Sequence, residues 1–437
     1  MSQIERNVEL LSPAGTLKSQ HYAMAFGADA VYAGLPRYSL RVRNNDFNID
    51  NLSVGIAAAH IRGKRFFVAV NIMPHSSKLK TFLDDMAKIV AMKPDALIMS
   101  DPGLIMLIRE HWPDMAIHLS VQMNTVNAAA VKFWQGVGIE RIILSRELSL
   151  GEVEEIRQQC PDIELEVFVH GSLCIAYSGR CLLSGYFNHR DPNQGSCTNS
   201  CRWDYRMAGK ESEAGIEQEG QAFQAANRHK NSQEVFLLEE ANRPDELMPI
   251  EEDEHGTYVM NSKDLRAVEH VTRLVEIGVD CLKIEGRTKS HYYAARTSQI
   301  YRQAIDDALA GRQFNPELMG DLESLANRGY TDGFFVRHHS QELQRYHDSA
   351  STTQRQMFVG EILQREEGGL FLIDVKNKFR VGDSMELLTP AGNTSFALNE
   401  MQDKEGNPLD EAPGGGWKVK IPLPVEAGEF GLLVRDL

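Results

Sequence analysis

The sequence predicts an α/β protein: a (β/α)8-like TIM barrel with a long cysteine-bearing insertion between strands seven and eight, plus a small C-terminal β-barrel. Three observations predict it. Over the first 290 residues, short β-branched or apolar runs alternate with stretches of helical period. The seventh and eighth of these runs lie about a hundred residues apart. From Gln356 onward the helical period gives way to closely spaced strands and turn signals.

The candidate barrel strands are Val8–Gly15, Ala28–Gly34, Arg65–Asn71, Ala96–Asp101, Ile117–Gln122, Arg141–Glu147, Glu164–Gly171 and Cys281–Arg287. Strands alternating with helices build a parallel sheet, and eight of them close into a barrel. Asn71, Asp101, Gln122, Glu147, His170 and Arg287 stand at or near their carboxyl ends. That end of such a barrel is its active face, so these side chains are expected to converge on one mouth. Each taken singly reads first as a helix cap or a solvated strand end.

The interval after strand seven is far longer than a helical crossover, which marks an insertion over 172–260 within a barrel domain of residues 1–350. It opens with four of the six cysteines, runs through an acidic, poorly periodic stretch and returns with TYVMNSKDL (Thr257–Leu265). Residues 211–254 hold thirteen Asp or Glu against three Lys or Arg and read as a solvated surface loop. Ser290–Arg312 reads as a helix and RGYTDGF (Arg328–Phe334) as a turn broken by glycine. In the second domain, 351–437, six runs (MFVGEIL, LFLIDV, SMELLT, SFALNEM, WKVKIPL and FGLLVRD) read as strands of a small barrel.

A chain of 437 residues, 42% hydrophobic, suits one large domain and a smaller one. Its N-terminus lacks the basic and apolar regions of a signal peptide, and no apolar run approaches the ~20 residues of a membrane span. A cytoplasmic protein with no membrane partner is expected. The net charge of −15 argues against a broad nucleic-acid face, yet −10 of it falls within 211–254. Just upstream, Arg180, Arg190, Arg202, Arg206 and Lys210 face only Asp191 and Asp204 within 171–210, so a local basic face remains open.

Cys174, Cys181, Cys197 and Cys201 follow the spacing C-x6-C-x15-C-x3-C. Four thiolates suit a cubane iron–sulfur cluster or a structural zinc. Only the last pair has the tight spacing common in zinc sites, and Gly171, Gly179, Gly185 and Gly195 would let backbone N–H groups approach cluster sulfides, which favours iron–sulfur. Cys160 and Cys281 read as small buried hydrophobes. A nucleophilic reading, Cys174 or Ser172 activated by His170, leaves the other cysteines without a role. The zinc-protease motif H-E-x-x-H occurs nowhere in the chain.

The runs E-x-F-x-x-G-S-L-C (Glu166–Cys174) and G-R-C-L-L-S (Gly179–Ser184) resemble the signature of the collagenase-like peptidase family. ELLSPAG (Glu9–Gly15), GADAVYAG (Gly27–Gly34), NSKDL (Asn261–Leu265) and LKIEGR (Leu282–Arg287) extend the resemblance. RYSLRVRNN (Arg37–Asn45), MSDPGLIM (Met99–Met106), HLSVQ (His118–Gln122) and LSRELSL (Leu144–Leu150) are similar to the branch of that family that makes 5-hydroxyuridine at the tRNA wobble position. The resemblance implies a tRNA uridine hydroxylase with a 4Fe-4S cluster, prephenate as co-substrate and the tRNA anticodon loop as target, and leaves the electron donor open. The other readings are a collagenase-like peptidase and a hydroxylase or accessory protein of another pathway, such as quinone synthesis.

Prephenate carries two carboxylates, which call for guanidinium forks; Arg41, Arg43 and Arg287 are the candidates, with Lys283 as a point charge. His170 reads as a proton shuttle or as a hydrogen-bonded support beside the cluster, and Glu285 as a base or as the neutralising partner of Lys283. Tyr177, Tyr186, Phe187 and Trp203 lie among the basic residues of the insertion, where they would stack on a splayed base or pack around a cluster. By fold analogy alone, the terminal barrel is the candidate tRNA-docking module.

Overall fold

Eight parallel strands close into a barrel, as the alternation predicts. The computed structural model describes residues 7–35, 37–40, 46–173, 177, 236–239, 247–253, 256–258, 263–327, 329–336, 355–424 and 428–437. The barrel strands are β1 (Glu9–Pro13), β2 (Ala30–Gly34), β3 (Arg65–Val70), β4 (Ala96–Met99), β5 (Ile117–Leu119), β6 (Arg141–Ile143), β7 (Glu164–Ser172) and an eighth, Cys281–Ile284. Cys281–Ile284 pairs in parallel with both β7 and β1, which closes the ring.

The strand-to-helix junctions carry their own start signals. Thr16 caps Leu17–Ala25 through the Ser19 amide, and Asn48 caps Ile49–Ile61 in a reciprocal box with Asn51. Asp101 does the same for Pro102–His111 through Leu104, Asn127 for Ala128–Gly136 through Ala130, and Ser149 for Leu150–Gln159 through Glu152. Ser290 caps the long helix His291–Leu309. Each cap satisfies amides that a helix start leaves open and contributes about 1 kcal/mol. Asp101 is therefore a cap, the plainer of its two readings.

Two expectations are corrected. The fifth strand stops at Leu119, because Ser120 turns the chain into the single 3-10 turn Val121–Met123, which carries Gln122. The acidic stretch is not all loop: Phe236–Glu239, Leu247–Asp253 and Gly256–Tyr258 form an antiparallel three-stranded sheet. Short apolar runs among the carboxylates (Phe236–Leu238, Leu247–Ile250) are enough to pair as strands, which a charge count over the whole stretch hides.

The lower half of the barrel interior is ionic. Arg141 on β6, 1% exposed, reaches Glu9 on β1 at 2.5 Å, Glu164 at 2.6 Å and Glu166 at 3.3 Å on β7. Lys283 on the eighth strand lies 2.7 Å from Glu166 and 4.4 Å from the centre of the Tyr32 ring. Burial opposes ionisation of Glu166, but Lys283 and Arg141 outweigh it and hold the carboxyl below its usual range.

The C-terminal strands form a seven-stranded antiparallel sheet ordered 392–397, 384–389, 432–436, 356–365, 370–375, 418–422, 402–403, beside a two-stranded ribbon of Phe379–Arg380 and Glu411–Ala412. It has its own apolar core around Phe371, Ile373, Met385, Val419 and Leu433. The helix His291–Leu309 lies between sheet and barrel: Tyr292 stacks on Phe358 at 4.5 Å, while Ser298 meets Ser12 of β1 at 2.6 Å. Glu361, 3% exposed, is the polar centre of this junction, with Lys18 Nζ at 2.6 Å, His291 Nε2 at 2.9 Å and Lys376 Nζ at 3.1 Å. No helix of the described residues is long and apolar enough to cross a membrane.

Burial raises the Glu361 pKa, but hydrogen bonds from His291, Lys18 and Lys376 outweigh it and hold the carboxyl far below its ordinary 4.5. A depressed carboxyl stabilises the fold above its unfolded pKa and loses that contribution as pH falls through the folded value. Glu361→Gln is therefore expected to lower unfolding stability at pH 7 by about 2 kcal/mol, less than a fully buried pair because Lys18 and Lys376 are partly solvated. In urea melts the gap between wild type and variant should shrink as pH drops below 4.5; a gap that is constant from pH 7 to pH 3 would refute an ionic role.

Candidate functional site in the barrel mouth

The carboxyl ends of β2, β6, β7 and the eighth strand bring a polar cluster together. At its centre is Glu285, 8% exposed, just past the eighth strand. Its carboxylate lies 3.4 Å from Arg146 Nη2 and accepts from the Tyr32 hydroxyl at 3.4 Å, while its backbone amide donates to the His170 carbonyl at 2.8 Å. The Tyr293 hydroxyl donates to the Glu285 carbonyl at 2.7 Å. Arg287, 5% exposed, donates through Nη2 to the Leu40 carbonyl at 2.6 Å and lies against Tyr32.

Two glycines make the cluster possible. Gly286 has φ +147, and a Cβ there would meet the Tyr293 ring at 2.6 Å; its freedom lets Glu285 and Arg287 both enter the mouth. Gly171 on β7 has φ +107, and a Cβ would lie 2.4 Å from the Glu285 carbonyl oxygen. The L-K-I-E-G-R and G-S-L-C runs are thus pressed together, backbone on backbone.

Sequence reasoning missed Arg146. It follows β6, stacks over Phe168 with its guanidinium carbon 3.9 Å from the ring centre, and donates to the Ser172 carbonyl at 2.9 Å. Ser172 stands two residues before Cys174, so Arg146 holds the exit of the cysteine segment at the mouth. The strand Asp264–Arg266 pairs antiparallel with His170–Ser172 and brings the chain back beside its departure. The signal in the sequence is position: Arg146 directly precedes Glu147, the predicted strand-end residue.

The other sequence-derived residues divide. Arg41, Arg43, Cys174, Cys181, Cys197 and Cys201 lie outside the described residues, as do Tyr186, Phe187 and Trp203; the Arg287 contact to Leu40 reaches the residue before Arg41. Cys160 and Cys281 are buried free thiols. Lys283 points into the barrel interior, and its partner is Glu166 rather than Glu285. Asn71 accepts from the Leu40 amide at 3.1 Å, and Glu147 accepts from the Ser145 hydroxyl. His170 is not in the mouth cluster. Its ring sits among Tyr293, Tyr301 and Tyr330, with Nδ1 3.4 Å from the Tyr301 hydroxyl. Burial lowers its pKa to about 3, so it is neutral at physiological pH. Among the described residues no three His, Cys, Asp or Glu side chains converge to hold a metal ion.

Fold and mouth define a TIM-barrel protein whose strand carboxyl ends present a carboxylate paired with Arg146, an arginine against Tyr32, and the start of a long excursion from the seventh strand. The chain belongs to peptidase family U32: the family's main model matches residues 15–345 and its C-terminal domain model residues 354–435. It is 58% identical to "tRNA hydroxylation protein P" of Escherichia coli strain K12, over 98% of this chain and 96% of that one. It is 56% identical to the protein of the same description from Haemophilus influenzae, with the same coverage. A more distant relative, "Collagenase" of Porphyromonas gingivalis, is 25% identical over 95% of this chain and 94% of its own.

Gly171→Ala is expected to destabilise the chain by about 2–4 kcal/mol, since both the positive φ and the approach to Glu285 oppose a side chain. Gly151→Ala, in a helix with nothing within 4 Å of the new Cβ, should be neutral or slightly stabilising. Chemical denaturation compares them, and equal stability of the two variants would contradict the close approach.

Proposed function

We propose that this chain hydroxylates uridine at the wobble position of cytoplasmic tRNA, with prephenate as co-substrate and a 4Fe-4S cluster held by Cys174, Cys181, Cys197 and Cys201. The observation that carries the reading is the identity of 58% across 98% of the chain to a protein described as acting in tRNA hydroxylation. The four-thiolate donor set suits an iron–sulfur cluster, and the Arg146–Ser172 contact supports its placement, since it holds the chain at the mouth two residues before the first thiolate. When bound, the cluster supplies one-electron chemistry beside the substrate base.

The chain's own residues do the rest. Arg287 and Arg146 are the forks for the prephenate carboxylates, joined by Arg41 or Arg43 from the segment that leaves Leu40. The Arg146–Glu285 contact is long for an ion pair at 3.4 Å, so an incoming carboxylate competes for that guanidinium readily. Glu285, oriented by Tyr32, accepts a proton. Lys283 lies against the Tyr32 ring and pairs with Glu166, and neutral His170 supports the backbone that Glu285 binds. The target uridine leaves its stack to enter the mouth, as enzymes acting on a base require. The C-terminal sheet is the tRNA-docking module in this reading.

The peptidase alternative needs a base for Ser172 or Cys174. An imidazole with a pKa of about 3, enclosed by three tyrosines, is too weak to activate a hydroxyl near neutral pH.

Two experiments test the reading. Protein purified without oxygen should contain iron and sulfide; Ala at any of the four clustered cysteines should release iron, whereas Cys160→Ala should retain it. In the same preparations Arg287→Ala and Arg146→Ala should keep iron but bind prephenate roughly 10- to 1,000-fold more weakly by calorimetry. Full iron retention in the four cysteine variants would remove the cluster from the proposal.

Nucleoside mass spectrometry of tRNA supplies the second test. A deletion strain should lose 5-hydroxyuridine-derived wobble nucleosides, and the wild-type gene, but not its Cys174→Ala form, should restore them. An unchanged wobble profile would overturn the assignment of substrate and favour the role in another pathway.

A further inference from the structure

The turn that carries Glu285 and Arg287 into the mouth is closed by one side chain. Leaving the eighth strand, the chain passes Glu285, Gly286 and Arg287, and the Lys289 amide then donates to the Gly286 carbonyl at 2.9 Å. Ser290 caps the helix His291–Leu309 by accepting from the Tyr293 amide at 3.3 Å. Tyr293 reaches back over this whole turn. Its hydroxyl donates to the Glu285 carbonyl at 2.7 Å, its ring fills the space that a Gly286 Cβ would enter, and Lys289 Nζ stands 5.5 Å from the ring centre. The Tyr293–Glu285 bond is buried, and a buried carbonyl stripped of its donor is costly, so the hydroxyl fixes the Glu285 backbone.

The two residues before Tyr293 face the other domain. Successive side chains of a helix point about 100° apart, so three in a row cannot share one face. His291 Nε2 lies 2.9 Å from Glu361, and Tyr292 stacks on Phe358 with ring centres 4.5 Å apart and planes 6° from parallel. Both partners stand on the same strand of the C-terminal sheet, Gln356–Arg365. Further along the helix, Gln299 Nε2 donates to the Thr389 carbonyl at 3.2 Å and to Asn393 Oδ1 at 2.9 Å. The sheet thus grips the helix start through residues 291 and 292, and the helix start grips the mouth turn through residue 293. Close-packed interiors leave little slack, so a displacement at Phe358 is passed on to the turn rather than absorbed.

We propose that Tyr293 is a positioning residue for the mouth, setting the Glu285–Arg287 turn, and that the C-terminal sheet sets Tyr293 in its turn through Phe358 and Glu361. The second domain thereby governs how the mouth presents Glu285 and Arg287 to a ligand. Only the identity of that ligand, prephenate, rests on the hydroxylase reading.

Hydrogen exchange followed by mass spectrometry on the full chain, purified without oxygen, tests the positioning with no ligand present. Tyr293→Phe and Phe358→Leu should each speed exchange at the Glu285 and Lys289 amides roughly 3- to 10-fold, as expected for the loss of one hydrogen bond. Exchange in β3 should stay as in wild type. Phe371→Leu, the same substitution in the core of the C-terminal sheet itself, should leave the turn unchanged. Calorimetry on the same preparations should show prephenate bound more weakly by Tyr293→Phe and Phe358→Leu than by wild type and Phe371→Leu. Wild-type exchange at both amides in Tyr293→Phe overturns the positioning role, and wild-type exchange in Phe358→Leu overturns the part played by the sheet. An equal rise in β3, or faster exchange with wild-type prephenate affinity, overturns the proposal as well. Wild type that fails to bind prephenate removes that ligand from the proposed function, and the exchange rates then decide the positioning by themselves.

Discussion

The structure depends on the closure of the barrel between β7 and Cys281–Ile284. These neighbours in space are separated by more than a hundred residues of chain, so their pairing carries a larger loop-closure cost than that of any other consecutive strands in the ring. The Lys283–Glu166 pair spans that seam, and Arg141 ties Glu166 onward to Glu9 on β1. Buried ions repay their desolvation only with near-complete pairing, which is why Arg141 has three carboxylate partners. The network specifies which strands are adjacent in a way that a uniform apolar interior would not.

The same seam shapes the mouth. β7 continues past the barrel as far as Ser172, and the register shift between Lys283 and Ile284 lets His170 face Ile284 while Glu285 binds the His170 carbonyl. Gly171 and Gly286 remove the side chains that would force the strands apart. Closure, anchoring of the excursion and orientation of Glu285 are therefore one geometrical arrangement. The long helix His291–Leu309 stabilises it from outside through Tyr293 and Tyr301, and hands the same rigidity to the C-terminal sheet through His291 and Tyr292.

Family U32 includes relatives described both as a collagenase and as tRNA hydroxylation proteins. A protease of the nucleophilic kind requires an accessible base, whereas here the one histidine on β7 is sealed and neutral. The mouth carboxylate, Glu285, lies 3.4 Å from Arg146, which also holds the Ser172 carbonyl where the chain leaves β7.

Much of this was legible in the sequence. Apolar runs ending in a polar residue predicted the strand positions, and the cap reading of Asp101 was open to sequence because a cap is a local interaction between residues two or three apart. The start of the long helix at Ser290 and the strands after Gln356 were visible for the same reason. The cysteine spacing marked the excursion. Partnership was not legible. Glu166 and Lys283 are 117 residues apart and Arg141 and Glu9 are 132 apart, and no local pattern encodes such pairs. Arg146 carries no signal of its own in the sequence; Phe168 and Ser172, distant along the chain, give it its place at the mouth. The sequence by itself determined the alternation of barrel strands and helices, the change to strands after Gln356 and the clustering of four cysteines, because these follow from short-range periodicity and spacing. The tertiary structure alone decided that Lys283 belongs to the core, that His170 is neutral, and that Glu285 stands between Arg146 and Tyr32, because burial and long-range pairing exist only once the barrel has closed.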